Sequence, residues 1–327
     1  QVFPNTPEKI LPFPSQLPKN RYGLAQWLTD VRNPLTARVA VNHLWQNFFG
    51  RGLVKTAEDF GNQGEMPSHL DLLDWLAIEL RDNNWDIKKL NKLIVMSATY
   101  QQDSKASPLL NEKDPENKLL ARGPSMRLSA EMIRDNALTA SGLLNKKLGG
   151  KSVYPYQPEG LWEINGTKYN QDTTDQVYRR SLYIVLKRTV PNPTLANFDG
   201  PSRASCVVRR QSTNTPLQAL VTLNDPTFTE AAKVIGESIT KQQNTKAAIG
   251  LAYRQLTGIT PTSKQIALLS ALQQTEYNKF KANPTKIKGW INAGLYKINT
   301  TLDPYWVAAN SIVASTILNS DATITKR

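Results

Sequence analysis

Apolar positions recur at helical spacing from residue 21 onward. Ala37, Val41, Leu44 and Phe48 follow one another at intervals of four, three and four, which predicts a buried helical stripe. The stripe opens at Asn33-Pro34, an N-cap followed by proline at the first helical position, and Gly50 is its natural stop. Ser68, with Asp71 in capping-box position, precedes a second stripe of Leu73, Leu76 and Leu80. Asp86 caps a third, of Ile87, Leu90 and Ile94. Ala130, Ile133, Ala137, Ala140 and Leu144 mark a fourth, ended by Gly149-Gly150. The cap-plus-proline device recurs at Asp114-Pro115, Asp225-Pro226 and Asp303-Pro304, and later helices are predicted near 216–224, 226–240, 246–257, 262–280 and 304–318. Ser181–Leu186, rich in β-branched and aromatic residues, is the one convincing strand. The pattern predicts a mainly α fold: a helical domain with a few short β-strands and a long irregular central segment.

That segment, residues 149–215, carries many prolines, aromatics and cations and divides an N-terminal helical part (21–148) from a C-terminal one (216–327). Residues 21–327 are expected to form one compact unit. Residues 1–20 hold five prolines and no usable periodicity, so they read as a linker or a strap lying on another surface. There is no initial Met and no basic region followed by an apolar run, and the chain reads as the C-terminal part of something longer.

Composition narrows the chemistry. Of the 327 residues, 40 are Lys or Arg and 27 Asp or Glu, a formal net charge of +13. No window of 18 apolar residues exists, so no membrane span is expected. The single Cys206 excludes an intrachain disulfide and any multi-cysteine metal site, and the two histidines, His43 and His69, exclude a three-imidazole centre. Nucleic acid is the reflex partner for so basic a chain. The positive charge is spread over the whole length, however, and no helix-turn-helix, zinc finger or RNA-binding signature is present, so none is expected.

The irregular segment concentrates the candidates. Arg179, Arg180, Lys187, Arg188, Arg203, Arg209 and Arg210 could hold an anion or an acidic partner through bidentate forks, or could form ion pairs within the chain. Tyr154, Tyr156, Trp162 and Tyr169 offer an aromatic surface for stacking on sugar rings, and Glu159, Glu163 or Asp175 could then act as acid or base. Glu131 and Asp135, four apart on a predicted helix, read as partners of nearby arginines. His69, at a predicted helix start, is a weak metal-ligand candidate and suits capping or packing better. Cys206 lies between Arg203 and Arg209, beside Val207 and Val208, and reads as buried filler.

Several long strings then occur in order: NPLTARVAVNHLWQNFFGRGLVKTAEDFG (33–61), PSHLDLLDWLA (67–77), MSATYQQDS (96–104), RLSAEMIRDNALTASGLL (127–144), YRRSLYIVLKRTVPNP (178–193), FDGPSRASCVVRRQSTNTPLQALVTLNDP (198–226) and ILNSDATITKR (317–327). Together they resemble the planctomycete-type C-terminal domain of unknown function of the "PSD one" type. His69 matches the family string, whereas His43 and Asn47-Phe48 depart from it.

The resemblance implies an exported, extracytoplasmic protein in which such a domain follows a cytochrome-c-like one. The c-type haem would sit upstream, since this chain has no Cys-x-x-Cys-His and would hold no cofactor itself. The leading expectation is a module that assembles or docks beside a haem-bearing domain in an electron-transfer system. Its partners would be upstream domains of the same precursor or a partner subunit. The alternatives are a structural subunit of a large extracytoplasmic complex, or a carbohydrate-acting enzyme or glycan-binding module.

Overall fold

The computed structural model describes residues 5–163 and 166–326. About half of the chain is helical, with fourteen α-helices among the described residues and one two-stranded sheet, so the fold is mainly α. The chain divides into two units, residues 5–126 and Arg127–Lys326, and residues 127–148, 149–215 and 216–326 all belong to the second. The charge divides unevenly between them. Residues 1–126 carry 15 Lys+Arg against 14 Asp+Glu, and residues 127–327 carry 25 against 13.

The first unit contains α1 (Arg21–Leu28), α2 (Thr36–Phe49), α3 (Leu70–Asp82), α4 (Ile87–Val95) and α5 (Pro108–Lys113). The stripes on α2, α3 and α4 meet in one core of Val41, Trp45, Leu73, Leu76, Leu80, Leu90 and Ile94. Leu35, and not Asn33, occupies the N-cap position of α2, so Pro34 lies before the helix; the Asn33 side-chain oxygen accepts from Leu35 N (3.0 Å) and Thr36 N (3.3 Å) in the turn that leads into it. The described part of the proline-rich lead lies on α1: Trp27 Nε1 donates to Leu11 O at 2.8 Å.

Fully buried Asn42 on α2 grips the Val54 backbone twice, donating to its carbonyl (3.0 Å) and accepting from its N–H (2.8 Å). Asn42→Ala orphans both groups and is expected to cost about 2–3 kcal/mol. Urea unfolding reads this directly, and a loss below about 0.5 kcal/mol would show that water satisfies Val54 instead.

The second unit contains α6 (Ala130–Ser141), α7 (Pro193–Asn197), α8 (Pro216–Asn224), α9 (Pro226–Thr240), α10 (Thr245–Thr257), α11 (Ser263–Ala282), α12 (Lys288–Ile291), α13 (Pro304–Leu318) and α14 (Asp321–Ile324). The strands β1 (Met126–Arg127) and β2 (Thr325–Lys326) pair at its chain ends. Asp225 and Asp303 cap α9 and α13 as the sequence predicts, accepting from Thr227 N (2.7 Å) and Tyr305 N (2.8 Å). These two helices form the centre of the unit. A Cβ on Gly236 of α9 would lie 2.6 Å from Ser311 N of α13, so only glycine allows the two backbones to come so close.

Three charged side chains of α9 (Glu230, Lys233 and Glu237) are buried on this central helix. Glu230 accepts from the hydroxyls of Tyr156 and Tyr178 (both 2.8 Å) and from Tyr296 N (2.6 Å). Lys233 Nζ donates to Tyr296 O (2.6 Å) and Ala293 O. The segment before α13 is thereby fastened to α9 through its own backbone groups, which the interior leaves no water to satisfy.

Four further local expectations differ from the structure. Ser181–Tyr183 is a 3-10 turn and not a strand, and only isolated bridges such as Val153–Ile184 follow it. The backbone there is claimed by side chains: Ser181 N donates to Asp135 Oδ1 (2.8 Å), and Arg134 takes the carbonyls of Val177 (2.6 Å) and Arg179 (2.9 Å). The fourth predicted stripe ends at Gly142 and not at Gly149-Gly150. Asp114 closes α5 and starts no helix, because its carboxylate is taken by the N–H groups of Lys118 (2.7 Å) and Leu119 (2.8 Å) in a turn. His69, and not Ser68, occupies the N-cap position of α3 and makes no side-chain cap bond.

Candidate docking surface

The segment 198–215 joins α7 to α8, and its base is braced from several sides. Asp199, held at φ 60°, accepts from Thr213 N (2.7 Å) and from the Thr213 hydroxyl (2.9 Å). Buried Gln218, on the first turn of α8, donates to Asn197 O (2.8 Å) and the Thr213 hydroxyl (3.1 Å). Arg127 Nη1 donates to Thr213 O (2.5 Å), with its guanidinium 5.6 Å from the centre of the Phe198 ring.

Arg210 forms a two-pronged pair with Glu131 of α6 (2.6 and 3.1 Å). Burial opposes ionisation of Glu131, but this pair, with the bonds from its own backbone N–H and from Ser129, outweighs it and holds the carboxyl below its ordinary range. Burial pulls the Arg127 guanidinium down from its usual value, against the opposing charges of Asp199 and Asp321.

Beyond this base the chain turns outward. Residues 202–217 are all exposed, and an open cavity of about 480 Å³ is lined by Pro201, Arg203, Ala204, Ser205, Cys206, Val207 and Arg210. Cys206 is exposed and not the buried filler its apolar neighbours suggest. Val207 is 49% exposed and Val208 43%. On α8, Leu217, Leu220 and Leu223 follow at helical spacing and are exposed as well. The loop and the helix after it thus carry apolar side chains into water, beside cations, from a base that has little freedom to collapse over them.

The remaining predicted residues lie in several settings. Arg179 is buried and directs its guanidinium at the carbonyls of Lys147 (3.0 Å), Gly149 (2.6 Å) and Lys151 (3.2 Å), over the Tyr183 ring at 3.8 Å. Its fork ties the loop 147–151 and faces inward. Arg180, Arg188, Arg203 and Arg209 are exposed, and Arg180, Arg188 and Arg203 pair with no carboxylate among the described residues. Tyr154, Trp162 and Tyr169 pack edge to face on one another, with ring centres 5.0–5.9 Å apart. Tyr156 is buried on Glu230, apart from that trio in role.

Burial is the main cause holding the hydroxyls of Tyr156, Tyr169 and Tyr178 above the usual phenol range; for Tyr156 and Tyr178 the bond to Glu230 adds to it. Glu159 and Glu163 are exposed, and Asp175 accepts from Asn145 (2.9 Å) and Gln176 (3.1 Å). His69 Nδ1 lies 3.1 Å from the Ser68 hydroxyl. Among the described residues no group of three or more His, Cys, Asp or Glu is placed to hold a metal ion, and no helix is long and apolar enough to cross a membrane.

The cations of the loop were legible in the sequence, but its brace was not. Arg127, Glu131, Thr213 and Gln218 are ordinary polar residues whose partners lie 5–86 positions away. The exposed leucines of α8 did have a signal, a helical stripe, and such a stripe is read by default as core.

A family model described as protein of unknown function (DUF1553), PSD1, matches residues 20–273. The chain belongs to the PSD1 family. The match takes in the first unit from α1 onward and the second as far as α11, so the braced loop and α8 fall within the PSD1 region. Nothing among the curated proteins or the solved structures matches this sequence.

Proposed function

We propose that this PSD1 chain is the docking module of an exported, cytochrome-c-associated protein. Its braced loop 200–215, with the outward face of α8, receives an acidic surface of the haem-bearing domain, in the same precursor or in a partner subunit. The observation that carries this reading is the exposure of Val207 and Val208 beside Arg203 on a loop whose base is fixed by Asp199, Thr213, Gln218 and Arg127. Apolar side chains held in water gain free energy when a partner covers them, and a fixed base lowers the ordering cost of that step. The excess of 25 cations over 13 anions in residues 127–327 favours a partner of opposite sign and speeds the encounter.

The extracytoplasmic setting and the haem-bearing neighbour are supported by the resemblance of the long strings quoted above. With one cysteine, the chain has no Cys-x-x-Cys-His, so the haem of this proposal is the partner's. What this chain contributes is alignment: apolar contact from the loop and α8, and orientation from Arg203.

Isolation of the native precursor from the extracytoplasmic fraction tests this. The wild-type protein is expected to co-purify with an iron-porphyrin absorbance. The Arg203→Glu/Val207→Asp/Leu220→Asp variant is expected to leave the partner surface, weakening association by about 100-fold or more, while retaining its own thermal midpoint. A wild-type preparation without iron porphyrin, or a folded variant that binds the haem-bearing domain, supplied as a separate polypeptide, as tightly as the wild type does, overturns the reading.

A further inference from the structure

Beyond α10 the basic residues change character. No arginine occurs between Arg254 and Arg327, and residues 277–302 hold five lysines (Lys279, Lys281, Lys286, Lys288 and Lys297), four asparagines and no carboxylate. This stretch covers the end of α11, a 3-10 turn at Pro284–Ile287, α12 and the segment leading to α13. It is rigid underneath. Phe280, Ala308 and Ala309 form a small core with Tyr277, Ile287, Trp290, Ile291 and Tyr305 packed against it. All five lysines are exposed above that core, as are Asn278, Asn283 and Asn292.

The neighbouring charges leave the corner strongly positive. Glu276 is taken by Lys279 (2.7 Å), Glu237 by Lys241 (2.7 Å), and Asp303 by the cap of α13. Lys281 lies over the rings of Tyr305 (5.0 Å) and Tyr277 (5.5 Å), while Lys286, Lys288 and Lys297 pair with no carboxylate among the described residues.

We infer that this corner is a binding surface for an acidic polysaccharide, a carboxylate-bearing sugar polymer held by Lys281, Lys286, Lys288 and Lys297 with the exposed asparagine amides between them. Three features of the corner select this class. Lysine is depleted in the cores of protein interfaces, which are built on aromatic and apolar anchors, and no large apolar side chain is exposed between residues 277 and 302. That same lack leaves nothing to insert into a lipid surface. Base stacking needs open ring faces, whereas Tyr277 and Trp306 stack on each other at 3.9 Å and Lys281 covers Tyr277. Amides, which both donate and accept, match the hydroxyls that a sugar polymer adds to its charge. The surface lies past residue 273, outside the matched family region, and is separate from the loop proposed above to meet a protein.

Binding of the 327-residue chain to polygalacturonate, neutral dextran and duplex DNA at matched low salt tests the proposal. Polygalacturonate is expected to bind, with affinity falling as salt rises, dextran not to bind, and DNA to bind more weakly. The variant Lys281→Gln/Lys286→Gln/Lys288→Gln/Lys297→Gln should lose about tenfold or more in affinity for polygalacturonate. A control with the same charge change elsewhere in the second unit, Lys146→Gln/Lys151→Gln/Lys246→Gln/Lys264→Gln, should stay within about twofold.

If the quadruple variant fails to fold, Lys286→Gln/Lys288→Gln, whose side chains hold nothing in place, should still lose about threefold. An equal loss in the control, no loss in the variants, DNA binding as tight as polygalacturonate binding, or no binding of polygalacturonate each overturns the proposal.

Discussion

Glu230→Ala is expected to destabilise the second unit by about 3–5 kcal/mol, because it removes one member of a buried network and strands the others. The carboxylate receives two tyrosine hydroxyls and the Tyr296 N–H, and Leu295 N in turn donates to the Tyr156 hydroxyl at 2.9 Å. Lys233 would remain buried beside the vacancy, where burial already pulls its ammonium below the usual range and Glu230 is the first charge that opposes this. The fit is tight: a Cβ on Gly294, which sits at φ +65°, would lie 2.1 Å from the Glu230 carboxyl carbon. Tyr178→Phe removes one donor and leaves the carboxylate its other bonds, so it should cost only about 1 kcal/mol. Urea unfolding of the three proteins ranks them, and a Glu230→Ala loss no larger than that of Tyr178→Phe would show that the network adds nothing to its parts.

The same network sets an alkaline limit. The phenols of Tyr156 and Tyr178 are raised in the folded state, by burial and by the bond each donates to Glu230. From about pH 10 the unfolded chain loses these protons while the folded one keeps them, so stability falls as pH rises past that point. Below it the contribution is complete. Of the 11 tyrosines, Tyr156, Tyr169 and Tyr178 should therefore ionise only with unfolding, which absorbance near the phenolate band resolves.

What could be read from sequence alone followed the range of the interaction. Asp86, Asp225 and Asp303 cap the helices they were expected to cap, because a cap involves residues two or three apart. The stripe Leu73, Leu76 and Leu80 is buried as its spacing requires. Ser181–Leu186 misled because its composition reports how well side chains fit a pleated surface, whereas the Ser181 N–H that opens it is taken by Asp135, and the Val177 and Arg179 carbonyls just before it by Arg134, some 45 positions earlier. Arg179 misled for a related reason. Its place in a run of cations suggested an anion, an acidic partner or an ion pair within the chain, yet its partners are carbonyls 28–32 residues back. A charged residue inside a helix, such as Glu230 or Lys233, gives no local sign of burial, since the groups that satisfy it come from distant loops. In the docking loop the cations were visible, and the exposure of Val207, Val208 and Cys206 became visible only with the brace that prevents collapse.

Arg134→Ala should be nearly as damaging as Glu230→Ala, and more local. Arg134 is 2% exposed and donates to Val177 O (2.6 Å), Arg179 O (2.9 Å) and the Ser181 hydroxyl (3.3 Å). Burial lowers its affinity for the proton, against the charges of Asp135 and Asp225, so it sits there at an electrostatic cost that its three bonds and the Asp135 carboxylate 3.7 Å away offset. Without it two buried carbonyls lose their donor, and a loss of about 3 kcal/mol or more is expected. The amides of residues 177–184 should then exchange faster than those of α9 and α13, since the turn they form is fixed by α6 and not by a strand ladder. Arg134→Met separates the causes: it keeps most of the buried stem and removes only the donors. If the methionine variant matches the wild type in stability and in exchange across 177–184, the stem and not the guanidinium holds the segment. If it behaves as the alanine variant does, the bonds from α6 are what replace the strand that the composition of 181–186 suggested.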